Sequence, residues 1–172
     1  TCDGPFFRNQ EIVVVGGGDS AIEEATFLTK FASKVHIIHR KDSLRASKVM
    51  QERAFSNPKI QMHWNSVVSE IQGNQKVQSI VLSDTKSGQK TTIQTGAVFV
   101  AIGHEPNTKI FANSVELDEQ GYIKIKDNTK TSVPGVFAAG DVHDRNYRQA
   151  ITAAGFGCMA AIDVDKYLTE NS

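Results

Sequence analysis

Several features that assign a chain to a special class of protein are scarce or absent in this sequence. It has two cysteines, Cys2 and Cys158, which are too few for a scaffold held together by disulfides. No stretch approaches the ~18 uninterrupted apolar residues of a membrane span. The first residues have neither the basic nor the apolar part of a signal peptide. We therefore expect a cytoplasmic protein that does not bind membranes.

The chain also has no net charge, because 19 Lys and Arg residues balance 19 Asp and Glu residues. We accordingly expect no nucleic-acid partner. The histidines, among them His104 and His143, lack the spacing typical of metal ligands, so we assign no metal. A chain of 172 residues can bury a hydrophobic core, and its binding specificity must come from local groups.

The most informative stretch is a run of β-branched residues that ends in three glycines. Residues 12–15 are continuously apolar, as in a parallel strand buried on both faces. The following residues fit the pattern G-x-G-x-x-G/A, in which Gly16 allows a tight turn, Gly18 admits a pyrophosphate, and Ala21 packs the helix on the strand. The alternative is an ordinary glycine turn with no ligand.

The surrounding segments favour the nucleotide-binding interpretation. Residues 19–31 have apolar side chains at helical spacing, and residues 35–38 form a second apolar strand, which completes a βαβ unit. The first N–H groups of the helix are then expected to face phosphates. The candidate cofactor-binding residues in this corner are Gly16, Gly17, Gly18, Asp19, Ser20 and Ala21.

The residues after the second strand indicate which dinucleotide is bound. An NAD site has an Asp or Glu there for the ribose 2′-OH, whereas this chain has His39, Arg40 and Lys41, with Arg45 a few residues later. A guanidinium binds a 2′-phosphate that a carboxylate would repel, so we expect NADPH. The alternative is a solvated charged face. We assign Asp42 to the cap of a helix that begins near residue 43 or 44.

The pattern predicts two domains. After a helix to about residue 55 and a strand at 60–64, residues 67–95 have the alternation and turns of an antiparallel meander that covers one face of the sheet. A buried strand at 97–101 follows. We place a boundary near residues 104–109, which gives an NADPH-binding domain at 1–109 with a Rossmann-like parallel sheet, and a second domain at 110–172.

The second domain is expected to contain strands at 122–125 and 136–139 and a helix at about 147–168. Small residues recur along this helix, which suggests close packing against another element. We expect Cys158, in this Ala- and Gly-rich helix, to be a buried small hydrophobe.

Together these segments resemble the C-terminal part of a low-molecular-weight thioredoxin reductase, the NADPH- and FAD-dependent disulfide oxidoreductase of bacteria, fungi and plants. The likeness runs from end to end. Residues 1–4 are similar to the end of the family's Cys-Ala-Thr-Cys-Asp-Gly redox motif, and residues 39–45 resemble its His-Arg-Arg-x-x-x-Arg phosphate motif. Lys41 replaces an arginine there, which keeps the charge but loses the planar fork.

Three further segments carry the resemblance. Residues 101–104 are similar to the family's interdomain segment, residues 135–141 to its second flavin motif, and residues 148–150 to the segment beside the isoalloxazine. The resemblance implies that these segments bind cofactor and that residues 110–172 are the C-terminal part of an FAD-binding domain. The cofactor-binding residues so implied are Ile102, Gly103, Gly140, Asp141, Arg148, Gln149 and Ala150.

The resemblance also implies the reaction. NADPH would pass hydride to FAD, FAD would reduce a Cys-x-x-Cys disulfide, and the dithiol would reduce thioredoxin by exchange. Cys2 would be the second cysteine of that pair, and Asp3 the general acid or base that moves a proton to or from a thiolate. The alternative for Asp3 is a turn-forming residue before Gly4. The complete enzyme is expected to be a homodimer.

Two parts of the family pattern are not found in these residues. The first cysteine of the redox pair would precede Thr1, and only one glycine fingerprint occurs, whereas the flavin domain needs its own. We expect a C-terminal portion of a longer enzyme that binds NADPH without full activity. Two alternatives stay open: a catalytically silent NADPH-binding module, and a reductase of the same superfamily with another disulfide acceptor.

Overall fold

The chain forms two compact units in the computed structural model, which describes residues 2–171. Thr1, the first residue of the redox-motif segment, lies outside that range. The first unit extends to Gly103 and the second begins at His104. Within the described residues, no helix combines the length and the apolar character needed to cross a membrane.

The first unit is built on a parallel sheet. Its strands are β1 (Glu11–Val15), β2 (Lys34–Ile38), β3 (Ile60–His63) and β7 (Val98–Val100), in the order β3-β2-β1-β7. Helix α1 (Asp19–Leu28) joins β1 to β2, and helix α2 (Lys48–Phe55) joins β2 to β3. The predicted βαβ unit and α/β fold are confirmed.

A second sheet is antiparallel and consists of β4 (Ser66–Gly73), β5 (Val77–Asp84) and β6 (Lys90–Gln94). It covers one face of the parallel sheet, as the sequence predicts: Val13 and Ile38 pack there against Ile80 and Leu82. The other face carries the helices. The buried residues on that face include Ile12, Val14, Ala21, Ile22, Ala25, Leu28, Val35 and Ile37. Alternate side chains of β1 therefore enter two different cores.

Helix α1 and the last strand of this unit differ in extent from the prediction. Helix α1 ends at Leu28 rather than near residue 31, because the chain turns there and Phe31 O accepts the N–H of Asn9 at 3.0 Å. The last strand, β7, covers only Val98–Val100 and is not fully buried, since Val100 is 62% exposed. β7 is the edge strand of the sheet, so it has a neighbour on one side only.

The second unit has one long helix, α3 (Ala150–Glu170), and a small core formed by Val115, Ile123 and Ala138. The strands predicted at 122–125 and 136–139 are wrong. Within the described residues of this unit only isolated bridges form, such as Leu117 with Ile123 and Lys130 with Phe137. Apolar alternation alone does not make a strand, because a strand also needs a neighbouring ladder to take its N–H and C=O groups.

The small-residue face of α3 is not packed as the sequence suggests. No described residue of α3 is buried, and Cys158 is exposed, so its prediction as a buried hydrophobe was wrong. Large apolar side chains of this unit are also exposed, including Ile110 at 81% and Ile151 at 80%.

Candidate functional site

The glycine loop between β1 and α1 is closely packed at its first two positions. A Cβ on Gly16 would collide with the carbonyl oxygen of Ala101 and lie 2.7 Å from Cβ of Ala21, which is itself fully buried. Gly16 and Ala21 therefore let the first turn of α1 approach the ends of β1 and β7, as the fingerprint requires.

Gly17 is a glycine for a different reason. A Cβ at this position would penetrate the imidazole of His39, lying 2.8 Å from its Cγ. His39 is only 6% exposed, and its Nε2 is 3.0 Å from the carbonyl oxygen of Ser43. Within the described residues, His39 thus lies beneath the glycine loop as a packing residue of the site, with its ring turned away from solvent.

Gly18 differs from its neighbours because a Cβ there would meet none of the described atoms within 4 Å. Its backbone (φ −96°, ψ 179°) is one that any residue adopts, so neither strain nor protein packing explains the glycine. Gly18 is the N-cap of α1, whose first N–H groups lack partners within the helix. Open space at such an end fits an anionic group that approaches the backbone.

The segment that bears the candidate cations is tied to this loop by backbone hydrogen bonds. The carbonyl oxygen of Gly17 accepts the N–H of Arg45 at 2.8 Å and that of Ala46 at 3.1 Å. A third bond runs from the N–H of Ser47 to Oδ1 of Asp19 at 2.7 Å. Residues 45–47 are therefore held beside the first turn of α1.

These bonds correct the predicted helix at 43–55. Helix α2 begins only at Lys48, because the N–H groups of Arg45 and Ala46 bond to Gly17 rather than within a helix. Asp42 does not cap a helix, and its carboxylate lies 3.6 Å from Nζ of Lys86 instead.

Arg40, Lys41 and Arg45 are all exposed. Within residues 2–171, none of their side chains forms an ion pair or a hydrogen bond. Backbone contacts position the first two: Arg40 O accepts the Thr85 hydroxyl at 3.4 Å, and Lys41 O accepts the N–H of Asn65 at 3.1 Å. Three cations thus extend from an anchored backbone beyond the carboxyl end of β2.

Ile102 and Gly103 follow β7 at the same edge of the sheet. Ala101 N–H donates to Val15 O at 2.8 Å, which brings the end of β7 beside Gly16. Ile102 is 66% exposed, and Gly103 has a left-handed backbone with φ 102°. An exposed apolar side chain therefore lies close to the glycine loop. Ser20, the second residue of α1, is also exposed at this end.

Cys2 and Asp3 lie at the opposite end of α1. Gly4 is buried against Leu28, the last residue of that helix, with a Cβ at Gly4 falling 2.8 Å from Cδ2 of Leu28. A helix of ten residues spans about 15 Å, so the first unit does not bring Cys2 or Asp3 to the glycine loop. Cys2 is exposed, and Asp3 O accepts the N–H of Phe6 at 3.0 Å in a turn.

The candidate residues of the second unit converge on the start of α3. Gly140 has a left-handed φ of 77°, and a Cβ there would contact that of Ala153 at 3.6 Å. Asp141 next to it is exposed. Gln149 is the N-cap of α3 in a capping box with Thr152, and Ala150 is its first residue.

Arg148 has a left-handed backbone with φ 48°, which is uncommon for a residue with a side chain. Its Nη1 lies 2.5 Å from Nδ1 of His104, so His104 accepts through that nitrogen. Its own N–H donates to Oδ2 of Asp144 at 3.0 Å. His104 thus holds the side chain of Arg148, and Asp144 holds its backbone.

Sequence reasoning missed Asp144. Its carboxylate is buried and accepts the N–H groups of Asn146, Tyr147 and Arg148 at 2.9–3.0 Å. Burial acts to raise the pKa of Asp144, but the three donors outweigh it and the pKa is lowered. The only local signal was an Asp followed by an Asn two residues later, which is typical of a turn.

A second group that sequence reasoning missed lies under the meander. Nε2 of His36 is 2.8 Å from Oε2 of Glu11, and its Nδ1 is 3.0 Å from Nε2 of His63. The hydrogen bond with His36 lowers the pKa of Glu11. Burial, followed by the charges of His36 and Lys34, lowers the pKa of His63. The three side chains come from three neighbouring strands, so only the sheet order reveals the group.

The parallel sheet, its glycine loop at the start of α1 and the cations beyond β2 define an α/β domain of the Rossmann type. The family model described as pyridine nucleotide-disulphide oxidoreductase matches residues 2–157. The chain belongs to that family.

Curated thioredoxin reductases are among the relatives of this chain. The enzyme of Streptomyces clavuligerus is 56% identical over 98% of this chain and 52% of its own length. Thioredoxin reductase 2 of Arabidopsis thaliana is 56% identical over 98% of this chain and 46% of its own length. The predicted resemblance is confirmed, and the chain spans about half the length of the curated relatives it matches.

Solved structures of thioredoxin reductases also resemble this chain. The thioredoxin reductase of Streptococcus pyogenes superposes with a TM-score of 0.89 at 47% identity, over 98% of this chain and 55% of its own. That of Giardia duodenalis has a TM-score of 0.80 at 43% identity, over 97% and 55%.

Proposed function

We propose that the first unit binds NADPH at the glycine loop. The observation that carries this proposal is the open space at Gly18, at the start of α1, together with three exposed cations on the segment tied to that loop. The backbone N–H groups of residues 16–21 receive the pyrophosphate. Arg40, Lys41 and Arg45 receive the 2′-phosphate, and His39 supports Gly17 from below.

Ile102 and Gly103 complete the nucleotide site at the end of β7. The exposed Ile102 side chain offers an apolar surface beside the loop, and Gly103 supplies the left-handed backbone that follows it. When bound, NADPH supplies a hydride.

The second unit contributes to an FAD site. Asp141 is exposed beside the left-handed Gly140, so its carboxylate is available to a ribitol hydroxyl. Residues 148–150 lead into α3, where the anchored Arg148 and the N-cap Gln149 are positioned to border a flavin ring. This donor set fits one side of a flavin, in keeping with residues that are a portion of its binding domain.

The whole protein is proposed to be an NADPH- and FAD-dependent thioredoxin-disulfide reductase. Support comes from relatives named thioredoxin reductase at 53–56% identity and from the cations, which favour NADPH over NADH. Cys2 serves as the redox cysteine that faces the flavin, and Asp3 exchanges a proton with its thiolate. Thioredoxin is the protein partner, the complete enzyme is a homodimer, and its location is the cytoplasm.

Calorimetric titration of the 172-residue chain with NADPH and with NADH tests the nucleotide assignment. We expect NADPH to bind at least about tenfold more tightly, because hydrogen bonds to charged groups are worth more than 1 kcal/mol each. Equal affinities for the two nucleotides would contradict the assignment.

We propose further that these residues alone do not carry the full reaction, since they hold one cysteine of the pair and part of the flavin site. A dye-reduction assay with NADPH and added FAD tests this. Binding without turnover is expected, whereas sustained NADPH-dependent dye reduction would contradict it.

A further inference from the structure

The negatively charged side chain of Asp19 is unexpected in a site that binds phosphates. It belongs to the first turn of α1, where the proposed function places the phosphates of NADPH, and like charges repel one another. Within residues 2–171, the one hydrogen bond of the Asp19 side chain leaves the helix: its Oδ1 accepts the N–H of Ser47 at 2.7 Å. The Asp19 carboxylate therefore acts on another segment of the chain.

That segment is the one that carries Arg45. Three hydrogen bonds tie residues 45–47 to the glycine corner, and two of them use the carbonyl oxygen of Gly17. The bond to Asp19 is the third and the one supplied by a side chain. Because Arg45 is exposed and its side chain has no protein partner within residues 2–171, the backbone alone determines where its guanidinium can reach.

We infer that Asp19 is a positioning residue that sets the preference for NADPH over NADH. By holding Ser47, it fixes the backbone that presents Arg45 to the 2′-phosphate, and it does so through hydrogen bonding rather than through charge. This inference rests on the proposed NADPH site. The first turn of α1 then has two roles. Its backbone N–H groups bind the pyrophosphate, and the Asp19 side chain positions the segment that binds the 2′-phosphate.

Two variants of Asp19 distinguish the effect of its hydrogen bond from the effect of its charge. Asp19→Asn removes the charge but keeps an oxygen that can accept the Ser47 N–H. Asp19→Glu keeps the charge but displaces the carboxylate by one methylene. Glu23→Ala is the matched control, because Glu23 is an exposed acid on the same helix. NADPH and NADH are titrated into each 172-residue variant by calorimetry at one ionic strength.

We expect Asp19→Glu to weaken NADPH binding roughly three- to tenfold, the range for loss of one charge-assisted hydrogen bond. Its NADH affinity should stay within about twofold, as should both affinities of Glu23→Ala. Asp19→Asn keeps the bond to Ser47 and removes the repulsion, so it should bind both nucleotides at least as tightly as the wild type and keep the preference for NADPH. A role in α1 stability alone would weaken both nucleotides equally in Asp19→Glu, and this result would overturn the inference. An unchanged preference for NADPH in Asp19→Glu would also overturn the inference. So would a loss of that preference in Asp19→Asn.

The wild-type titration distinguishes failure of the proposed NADPH site from failure of the role of Asp19. Without a preference for NADPH in the wild type, the proposed function fails and this inference fails with it. With a clear preference that Asp19→Glu preserves, the proposed function stands and only the role of Asp19 is refuted. Thermal unfolding of each variant completes the test: a variant that binds neither nucleotide but unfolds at the wild-type temperature assigns Asp19 to the pyrophosphate instead.

Discussion

The imidazole of His39 occupies the space that a side chain on Gly17 would need: a Cβ at Gly17 would lie 2.8 Å from Cγ of His39. The ring cannot easily move, because it is buried and its Nε2 is held 3.0 Å from Ser43 O. We expect Gly17→Ala to lower the free energy of unfolding by about 1–3 kcal/mol or more, the usual cost of overpacking. Urea denaturation measures it, and unaltered stability would contradict this packing.

Gly18→Ala should behave in the opposite way. Its Cβ would meet no atom of residues 2–171 within 4 Å, and its backbone suits alanine, so stability should stay within about 0.5 kcal/mol of the wild type. The methyl group would occupy the space proposed for the pyrophosphate, and both NADPH and NADH should therefore bind more weakly. Calorimetry on the folded variant measures this, and undiminished affinity would place the phosphates elsewhere.

The contrast between these neighbouring glycines shows what the sequence pattern can and cannot predict. The βαβ unit was predictable, because the β-branched runs, the glycines and the helical spacing between them are local signals. The reason for Gly17 was not, since it depends on a ring 22 positions later in the chain. The fingerprint assigns tasks to Gly16 and Gly18 only, whereas the structure makes Gly17 a second packing position beside the open Gly18.

Long-range hydrogen bonds explain the main errors. The helix predicted from residue 43 fails because Gly17 O captures the N–H groups of Arg45 and Ala46, and no local pattern reports a bond across 28 residues. In the second unit, residues 122–125 have the composition of a strand but only isolated bridges. The cation segment itself was predictable, because its position after β2 follows from the order of the elements.

Nucleotide specificity should depend on Arg40 and Arg45 together. Replacing both with alanine removes two exposed guanidinium groups that fit a phosphate, so NADPH should bind roughly tenfold or more weakly while NADH is little affected. Calorimetry at low ionic strength measures both affinities. Lys90→Ala, which removes an exposed cation from the meander, is the control and should leave both values unchanged. A parallel loss of NADH binding would indicate a pyrophosphate role instead.

Stability should fall as the pH drops from about 7 to about 5, in part because of His63. Burial lowers the pKa of His63 below its ordinary value of 6.5. The unfolded chain therefore takes up a proton in this range that the folded chain does not, and stability present above pH 6.5 is lost as the pH falls through the folded value.

His63→Gln removes this titration while keeping a polar group near Nδ1 of His36. The free energy of unfolding of the variant, measured by urea denaturation, should change less between about pH 7 and about pH 5 than that of the wild type. Between about pH 7 and about pH 8 His63 is neutral in both states, so the two curves should run parallel. Parallel curves across the whole range would refute the role of His63.

The loop before α3 should depend on the buried carboxylate of Asp144, which accepts three backbone N–H groups. Asp144→Ala leaves these donors without a partner, and we expect a loss of at least about 2 kcal/mol of stability in the second unit. Asp144→Asn keeps Oδ1, which accepts the N–H groups of Asn146 and Tyr147, but replaces the oxygen that accepts that of Arg148, so the loss of stability should be smaller.

Amide hydrogen exchange tests this ranking of the two variants. All three amides should exchange faster in the alanine variant, and chiefly that of Arg148 in the asparagine variant. Asp165→Ala, at an exposed acid on α3, is the control, and equal exchange in all variants would show that Asp144 does not hold the loop.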